Sequence, residues 1–191
     1  MTSKTPFTGD PEADHLLETD AFALVCGMLL DQQVPMEWAF RGPLALKQRL
    51  GGLSAEDIAA MDPDAVREVF LAKPALHRYP ASMGGRVHDL SAFIVANYGG
   101  RAERIWEEAK DADDLFGRLR ELPGYGEQKA KIFLAILGKR LNVAPDGWEN
   151  RAGTYGEPGY RSIADVDGPG AIDRVRTYKQ EMKAKAKAAK A

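Results

Sequence analysis

Apolar residues recur along most of the chain at the three- and four-residue spacing of an α-helix, and no stretch alternates convincingly enough to predict a β-strand. Residues 21–31 are apolar on all sides, with Asp20 placed to cap their start, and they predict a central, buried helix. Further helices are predicted at residues 36–50 with a break at Gly42-Pro43, at 54–61, at 63–72, after a break at Gly84-Gly85, and on either side of 111–114. The pattern therefore predicts an all-α protein.

A Gly-rich turn divides residues 115–138 into two predicted helices, and the second is expected to end at Gly138. Pro123 ends the first helix, and the glycines on either side of Tyr125 allow a tight turn with positive φ. Such a turn leaves the first N–H groups of the second helix pointing outward as an anion site, with Lys129 placed to reach a phosphate. An isolated turn of this type is more often a plain corner between helices, so the pattern alone leaves both interpretations open.

The net charge of −2 is unevenly distributed along the chain. The first twenty residues carry five carboxylates, whereas a last helix predicted from about Ala171 ends in a Lys-rich tail at residues 182–191. Residues 142–170 are rich in Gly and Pro and predict loops and short turns. A local basic surface is therefore expected despite the overall charge, because local potential governs phosphate binding.

The single cysteine, Cys26, lies inside the apolar run, which predicts a buried, unreactive thiol. One cysteine excludes an internal disulfide and any cysteine-ligated cluster or zinc site within one chain. The longest apolar stretch, residues 21–30, is too short to span a bilayer, and the first twenty residues lack the pattern of a signal peptide. We therefore expect a cytoplasmic protein with no membrane partner.

Three short motifs together resemble a known family. Residues 122–130, Leu-Pro-Gly-Tyr-Gly-Glu-Gln-Lys-Ala, resemble the hairpin Leu-Pro-Gly-Val-Gly-x-x-x-Ala of the HhH-GPD superfamily, the helix-hairpin-helix DNA glycosylases of base excision repair. Asp146 follows Leu122 by 24 residues, the family's spacing to its catalytic aspartate, and Arg151 completes the family's Asp-x-x-x-x-Arg. Residues 29–33, Leu-Leu-Asp-Gln-Gln, are similar to the family's Ile-Leu-Ser-Gln-Gln at the end of an early buried helix.

The resemblance implies two small helical lobes with a cleft between them: residues 20–140, including the hairpin at 115–138, and a second lobe of residues 1–19 and 141–191. It also implies binding to double-stranded DNA in the nucleoid, with an extruded base in the cleft. The sequence does not determine the oligomeric state, and a monomer is the expectation. The carboxylate of Asp146 would stabilise positive charge on the sugar and orient a water. The DNA-binding residues that the resemblance implies are Gln32, Gln33, Gly124, Tyr125, Gly126, Gln128, Lys129 and Arg151.

Departures from the family narrow these expectations. Family members that also nick the strand have a lysine where this chain has Gln128, and an amide cannot form a Schiff base, so base removal without a lyase step is predicted. No C-terminal cysteines are present to hold an iron–sulfur cluster, so no cofactor or metal is predicted beyond a monovalent cation on the hairpin carbonyls. Asp31 replaces a small polar residue and would repel phosphate. The candidate pocket residues are Asp31, His77, Tyr79 and Trp148.

Other interpretations remain open at the level of sequence. Asp146 stands in Pro-Asp-Gly, a common turn sequence. If the aspartate serves only to form this turn, it has no catalytic role. A DNA-binding relative that recognises lesions or DNA structure without cleaving would share every backbone feature of a monofunctional glycosylase. A helical protein–protein adaptor would instead show no salt-sensitive affinity for DNA.

Overall fold

The structure, a computed structural model, describes residues 6–189, and within that range it contains helices and no β-strand. The prediction of an all-α protein is confirmed. The helices are α1 (Pro11–Thr19), α2 (Ala21–Leu30), α3 (Met36–Leu50), α4 (Ala55–Ala60), α5 (Pro63–Leu71), α6 (Pro80–Tyr98), α7 (Arg104–Glu107), α8 (Ala112–Glu121), α9 (Glu127–Arg140), α10 (Trp148–Ala152) and α11 (Ala171–Ala188), with 3₁₀ turns at Gly153–Tyr155 and Ile163–Asp165. None of these described helices is long and apolar enough to cross a lipid bilayer.

Local capping begins several helices where the sequence predicts them. The Asp20 carboxylate accepts a hydrogen bond from the N–H of Ala23 at 3.0 Å, and the hydroxyl of Ser54 accepts one from the N–H of Asp57 at 3.0 Å. Asp62 caps α5 in the same manner, ahead of a proline at the first helical position. These contacts satisfy N–H groups that a helix leaves unpaired at its start.

The breaks predicted at Gly84-Gly85 and at Gly42-Pro43 are wrong, because α6 and α3 run through them without interruption. A β-carbon on Gly84 would lie 2.9 Å from the Cα of Arg67, so the glycine lets α6 approach the backbone of α5. A β-carbon on Gly42 would lie 2.5 Å from a leucine side chain of α2. Both glycines therefore serve close packing between helices and do not end the helix that contains them.

α2 and α9 are the helices that position the candidate site. α2 is buried from its second residue to its last, as its composition predicts, and burial raises the pKa of the Cys26 thiol within it. α2 packs against α1, α3, α6 and α9, while α8, α10 and both 3₁₀ turns pack against α9. α4, α5 and α6 form a further group that packs together beside α3.

One hydrophobic core includes residues of both predicted lobes. Phe7, from the N-terminal segment, stacks on Phe40 of α3 with ring centroids 5.8 Å apart, and the guanidinium of Arg140 in α9 lies 4.6 Å from the Phe7 centroid. The N-terminal segment thus joins helices from opposite ends of the long predicted lobe. The division into two lobes stays a prediction.

Candidate nucleic-acid interface

The α8–α9 hairpin ends in a tight turn that exposes the start of α9. The N–H of Tyr125 donates to the carbonyl of Leu122 at 2.9 Å, and Gly124 has a φ of 82°, as the turn requires. Gly126 occupies the N-cap of α9, and no side chain of the described residues caps it. Gly126 and the first residues of α9 are exposed, so the first amides of this 14-residue helix face outward.

The turn is anchored on α2 by the residues at its centre. The ring of Tyr125 is buried edge-on against Phe133, and its hydroxyl donates to the carbonyl of Val25 at 2.7 Å. A β-carbon on Gly124 would lie 2.4 Å from the Cδ1 of Leu29. Tyr125, which the resemblance names among the DNA-binding residues, could therefore contact DNA only through its backbone.

Lys129 points inward, in contrast to the phosphate contact predicted for it. Its Nζ donates to the carbonyl of Met28 at 2.9 Å and to that of Leu29 at 2.6 Å. Lys129 therefore satisfies two backbone carbonyls in the last turn of α2. Burial lowers the pKa of Lys129 to about 8, and the neighbouring Asp31 offsets part of that effect. The prediction failed because it used only the position of Lys129 in its own helix, whereas α2 supplies the carbonyls.

Four predicted site residues from distant parts of the chain meet at the end of α2. The amide oxygen of Gln32 accepts from Arg86 at 2.7 Å, and that of Gln33 accepts from the hydroxyl of Tyr79 at 3.1 Å. The Nδ1 of His77 accepts from the N–H of Tyr79 at 3.0 Å, and its Nε2 lies 3.1 Å from the carbonyl of Leu30. These two contacts place the His77 proton on Nε2 and keep the ring neutral, and burial lowers its pKa.

Asp31 completes this cluster, at the C-cap of α2. Its carboxylate is partly buried, and burial raises its pKa. The ammonium groups of Lys179 and Lys129 lower the pKa in turn, and Glu37 raises it. The negative charge predicted to repel phosphate is thus partly compensated by two nearby cations.

A cavity of about 600 Å³ opens beside the hairpin, between the start of α9, the 3₁₀ turn at Gly153–Tyr155, and α11. Its lining contains no Asp or Glu, and its four cations are Arg161, Arg176, Lys179 and Lys183. The side-chain amide of Gln128 donates to the hydroxyl of Tyr155 at 2.9 Å at the mouth of the hairpin. We refer to this space as the α9–α11 cavity.

The cations of the α9–α11 cavity differ in how far they are neutralised. Arg161 pairs with Glu157 at 2.6 Å, and Arg176 pairs with Glu37 and with Asp173. Lys179 and Lys183 make no ion pair within residues 6–189. The two lysines are therefore the charges most available to an incoming anion.

Asp146 lies in a turn, exposed to solvent. The N–H of Trp148 donates to the carbonyl of Pro145 at 3.0 Å, and Gly147 has a φ of 82°, the geometry of a type II turn with Asp146 at its second position. The aspartate does not line the α9–α11 cavity. The turn interpretation of Pro-Asp-Gly describes this segment.

Asp146 lies far from the hairpin turn, as the path of the chain after it shows. The ring of Trp148 covers Gly138, where a β-carbon would lie 2.6 Å from it, and Tyr155 further on reaches Gln128. This segment therefore runs back along α9 towards the hairpin, and Asp146 precedes it at the opposite end. Ten residues of α-helix separate the two contact points on α9, which amounts to about 15 Å.

Trp148 and Arg151 also have structural partners outside the cavity. Close packing with Trp148 explains the glycine at position 138, and the predicted helix end there is wrong because α9 continues to Arg140. Arg151 forms an ion pair with Asp113 at 3.0 Å, and its guanidinium lies 4.4 Å from the centroid of Phe116. Trp148 therefore packs α10 against α9, and Arg151 joins α10 to α8.

No protein family, no curated protein and no solved structure matches this chain. The turn at Gly126, the cluster at the end of α2 and the α9–α11 cavity are therefore the features that bear on function. Sequence patterns missed Arg86, Tyr155 and Lys179. The basic run near the C-terminus indicated only that α11 carries positive charge, and no spacing placed that helix opposite α2.

Proposed function

We propose that the chain is a monofunctional DNA glycosylase, which binds double-stranded DNA through the hairpin and removes the base of an extruded nucleotide. The observation that carries this proposal is the uncapped start of α9, which opens beside a cavity lined by four cations and no carboxylate. Outward amides and a helix dipole favour phosphate oxygens, and lysines add the salt-dependent attraction typical of DNA binding.

The volume and the lining of the cavity support an extruded nucleotide as its occupant. Its volume of about 600 Å³ lies within the range of small-molecule sites, and it combines phosphate-binding cations with the rings of Tyr155 and Tyr178. A stacked duplex hides the glycosidic bond, so excision needs a space of this kind beside the DNA-binding surface. The resemblance places Gln128 at the position of the lysine that forms the Schiff base in strand-nicking members, and its side-chain amide cannot form one, which supports hydrolysis without strand cleavage.

A second candidate function is recognition of damaged or distorted DNA without cleavage. The position of Asp146 favours it, because the carboxylate that the family resemblance makes catalytic lies at the far end of α9. The two candidates share the DNA-binding surface and differ only in whether a base is released.

Two measurements test the proposal. Fluorescence anisotropy with a labelled duplex at two salt concentrations should show affinity that falls steeply with salt, and a Lys179→Ala/Lys183→Ala variant should flatten the logarithmic salt slope by about 2. Lys110→Ala is the matched control, because Lys110 lies before α8 at the end remote from the turn. Salt-independent or absent binding by the wild-type protein would show that it is not a DNA-binding protein.

Incubation with duplexes that carry uracil, alkylated, oxidised or mismatched bases tests the reaction. The expected result is release of one class of base, with an intact strand until alkali is added. DNA binding with no base released from any duplex would favour recognition without cleavage.

A further inference from the structure

The side chains that line the α9–α11 cavity set the sign of the charge that an occupant meets first. Four of them are cations, and the carboxylates that pair with two of these cations, Glu37, Asp173 and Glu157, lie outside the lining. Coulomb interactions weaken with distance, so the cations of the lining act on an occupant more strongly than these carboxylates do. The cavity therefore favours an occupant that is negative or that becomes negative.

This sign of charge bears on how a base can leave its sugar. When the C1′–N bond breaks, the bond electrons stay on the base. A neutral base therefore departs as an anion, whereas a base made cationic by alkylation enters with a positive charge and departs neutral. Cations beside the base stabilise the first departure in its transition state and repel the second base before it reacts. The phosphates on either side of the nucleotide offset the positive charge that develops on the sugar.

Gln128 and Tyr155 form a hydrogen-bonded pair in the wall of the same cavity. The side-chain amide of Gln128 donates to the hydroxyl of Tyr155 at 2.9 Å, and both residues line the cavity. The oxygen of the hydroxyl accepts, which leaves its proton available. Neither this proton nor the amide oxygen of Gln128 has a partner among residues 6–189. The accepted hydrogen bond also polarises the hydroxyl and makes it a stronger donor.

The pair offers a hydrogen-bond donor beside an acceptor. The hydroxyl of Tyr155 can donate to a carbonyl oxygen of a base, and the amide oxygen of Gln128 can accept from the N–H next to that carbonyl. Uracil, thymine and lesions of guanine that keep the C6 carbonyl have this C(=O)–N–H edge. Negative charge gathers on the carbonyl oxygen as such a base departs, so the hydrogen bond from Tyr155 strengthens during the reaction.

We propose that the substrate is a neutral base with a C(=O)–N–H edge that departs as an anion, and that Tyr155 stabilises the departing base. This inference rests on the proposed glycosylase function and names its substrate class. The C1′–N bond breaks with both electrons on the base, and a water oxygen forms the new bond to C1′. That water loses a proton to solvent, and solvent supplies a proton to the base anion.

Single-turnover excision at saturating protein tests the substrate class. Three duplexes of the same sequence would carry uracil, 5-fluorouracil or 7-methylguanine at one position. Uracil should be released, and 5-fluorouracil should be released faster, because the fluorine withdraws electrons and stabilises the departing anion. The cationic 7-methylguanine should be released no faster than it is lost from the same duplex without protein.

Removal of the unpaired cations tests the contribution of charge. Lys179→Gln/Lys183→Gln should slow the release of uracil by about 10-fold at saturating protein, where a loss of DNA affinity does not affect the rate. Lys110→Gln, a matched substitution before α8, should retain the wild-type rate.

Tyr155→Phe tests the residue. The rate on uracil should fall by about 100-fold, as expected when one donor to a developing negative charge is removed. The loss should be smaller for 5-fluorouracil, which departs more easily, whereas a purely structural role of Tyr155 would slow both reactions equally. Tyr160→Phe is the matched control: the Tyr160 hydroxyl accepts from Arg174 at 2.7 Å and does not line the cavity, so the wild-type rate should be retained.

The outcomes that contradict the inference differ from those that contradict the proposed function. Release of 7-methylguanine with uracil left intact would show that the substrate class is wrong and that the protein is nevertheless a glycosylase. An equal loss of rate on uracil and 5-fluorouracil in Tyr155→Phe would show that Tyr155 does not stabilise the departing base. If wild-type protein binds DNA but releases no base from any duplex, the glycosylase function fails, and the substrate class fails with it.

Discussion

Lys129 occupies a position that lowers the affinity of its amine for a proton. Its Nζ lies against the last carbonyls of α2, and burial lowers its pKa to about 8, against 10.5 for the unperturbed group. Between these two pH values the unfolded chain binds more protons than the folded protein, so this group makes the free energy of unfolding rise with pH. The difference between the two pKa values corresponds to a change of about 3 kcal/mol in the free energy of unfolding.

Replacing Lys129 by methionine should remove this contribution to the pH dependence. Urea denaturation of both proteins at pH 8 and pH 10.5 measures it, because all other titrating groups are shared. The free energy of unfolding of the wild-type protein, relative to the variant, should be higher at the upper pH. An equal difference at both pH values would show that Lys129 titrates as an exposed lysine does.

Gly124 offers a second prediction for a single residue. Its φ of 82° and the proximity of Leu29 both oppose a side chain, so Gly124→Ala should lower the free energy of unfolding by about 1–3 kcal/mol. DNA affinity should fall with it, since the turn presents the amides of α9. Gly117→Ala is the control: nothing lies within 4 Å of a β-carbon at that position of α8, and stability should rise by about 0.5–1 kcal/mol. Thermal unfolding of both variants measures these changes, and equal stabilities would contradict them.

The sequence predicted where helices begin better than it predicted their interiors, because capping contacts join residues that are close in the sequence and packing contacts join residues that are distant in it. Asp20 and Ser54 cap α2 and α4 through atoms three residues away, so the nearby sequence contains the whole contact. Gly84 and Gly138 lie opposite Arg67 and Trp148, at distances along the chain that no local pattern records. A glycine needed for a close approach between helices has the same sequence appearance as one that ends a helix.

The end of α11 allows a prediction for a whole segment. The last turns of this helix are exposed and carry Lys185 and Lys187, with little apolar surface to bury, and only Ala186 among them lines the cavity. Truncation after Lys183 should leave the free energy of unfolding within about 0.5 kcal/mol of the full chain. The logarithmic salt slope of DNA binding should become shallower by about 0.9 for each phosphate that the shortened helix no longer neutralises.

A full-length control separates the charge of this segment from its length. Lys185→Gln/Lys187→Gln should reproduce most of the decrease in salt dependence. Unchanged DNA affinity in both proteins would show that the tail is a solvated helix without a role in binding.

At the scale of the molecule, the pairing of Phe7 with Phe40 and Arg140 joins the N-terminal segment to α3 and α9. Phe7→Ala should lower the free energy of unfolding by about 3–5 kcal/mol, because it leaves a cavity in a shared core. Tryptophan fluorescence and circular dichroism should show one coincident transition in both proteins. Separate transitions would show that the two predicted lobes unfold independently.

The candidate site follows the same division between local and distant contacts. The turn around Gly126 was predictable because the residues that form it are consecutive, and the pairing of Gln33 with Tyr79 was foreseen only as a shared neighbourhood. The inward direction of Lys129 depends on carbonyls about a hundred positions earlier. Asp146 lies at the family's spacing from Leu122, but this spacing does not determine the direction in which the chain leaves α9, and that direction decides where the carboxylate lies.

Attachment of the hairpin turn to α2, through Tyr125 and Gly124, has a consequence for the kinetics of association. The outward amides of α9 are already ordered before any ligand arrives, so the proposed binding of DNA should need no conformational step at the hairpin. Arrival should then be fast and steered by charge, and differences in affinity between DNA sequences should come from the rate of departure. In the proposed function, the protein would then sample many DNA positions briefly and remain only where a nucleotide has left the stack.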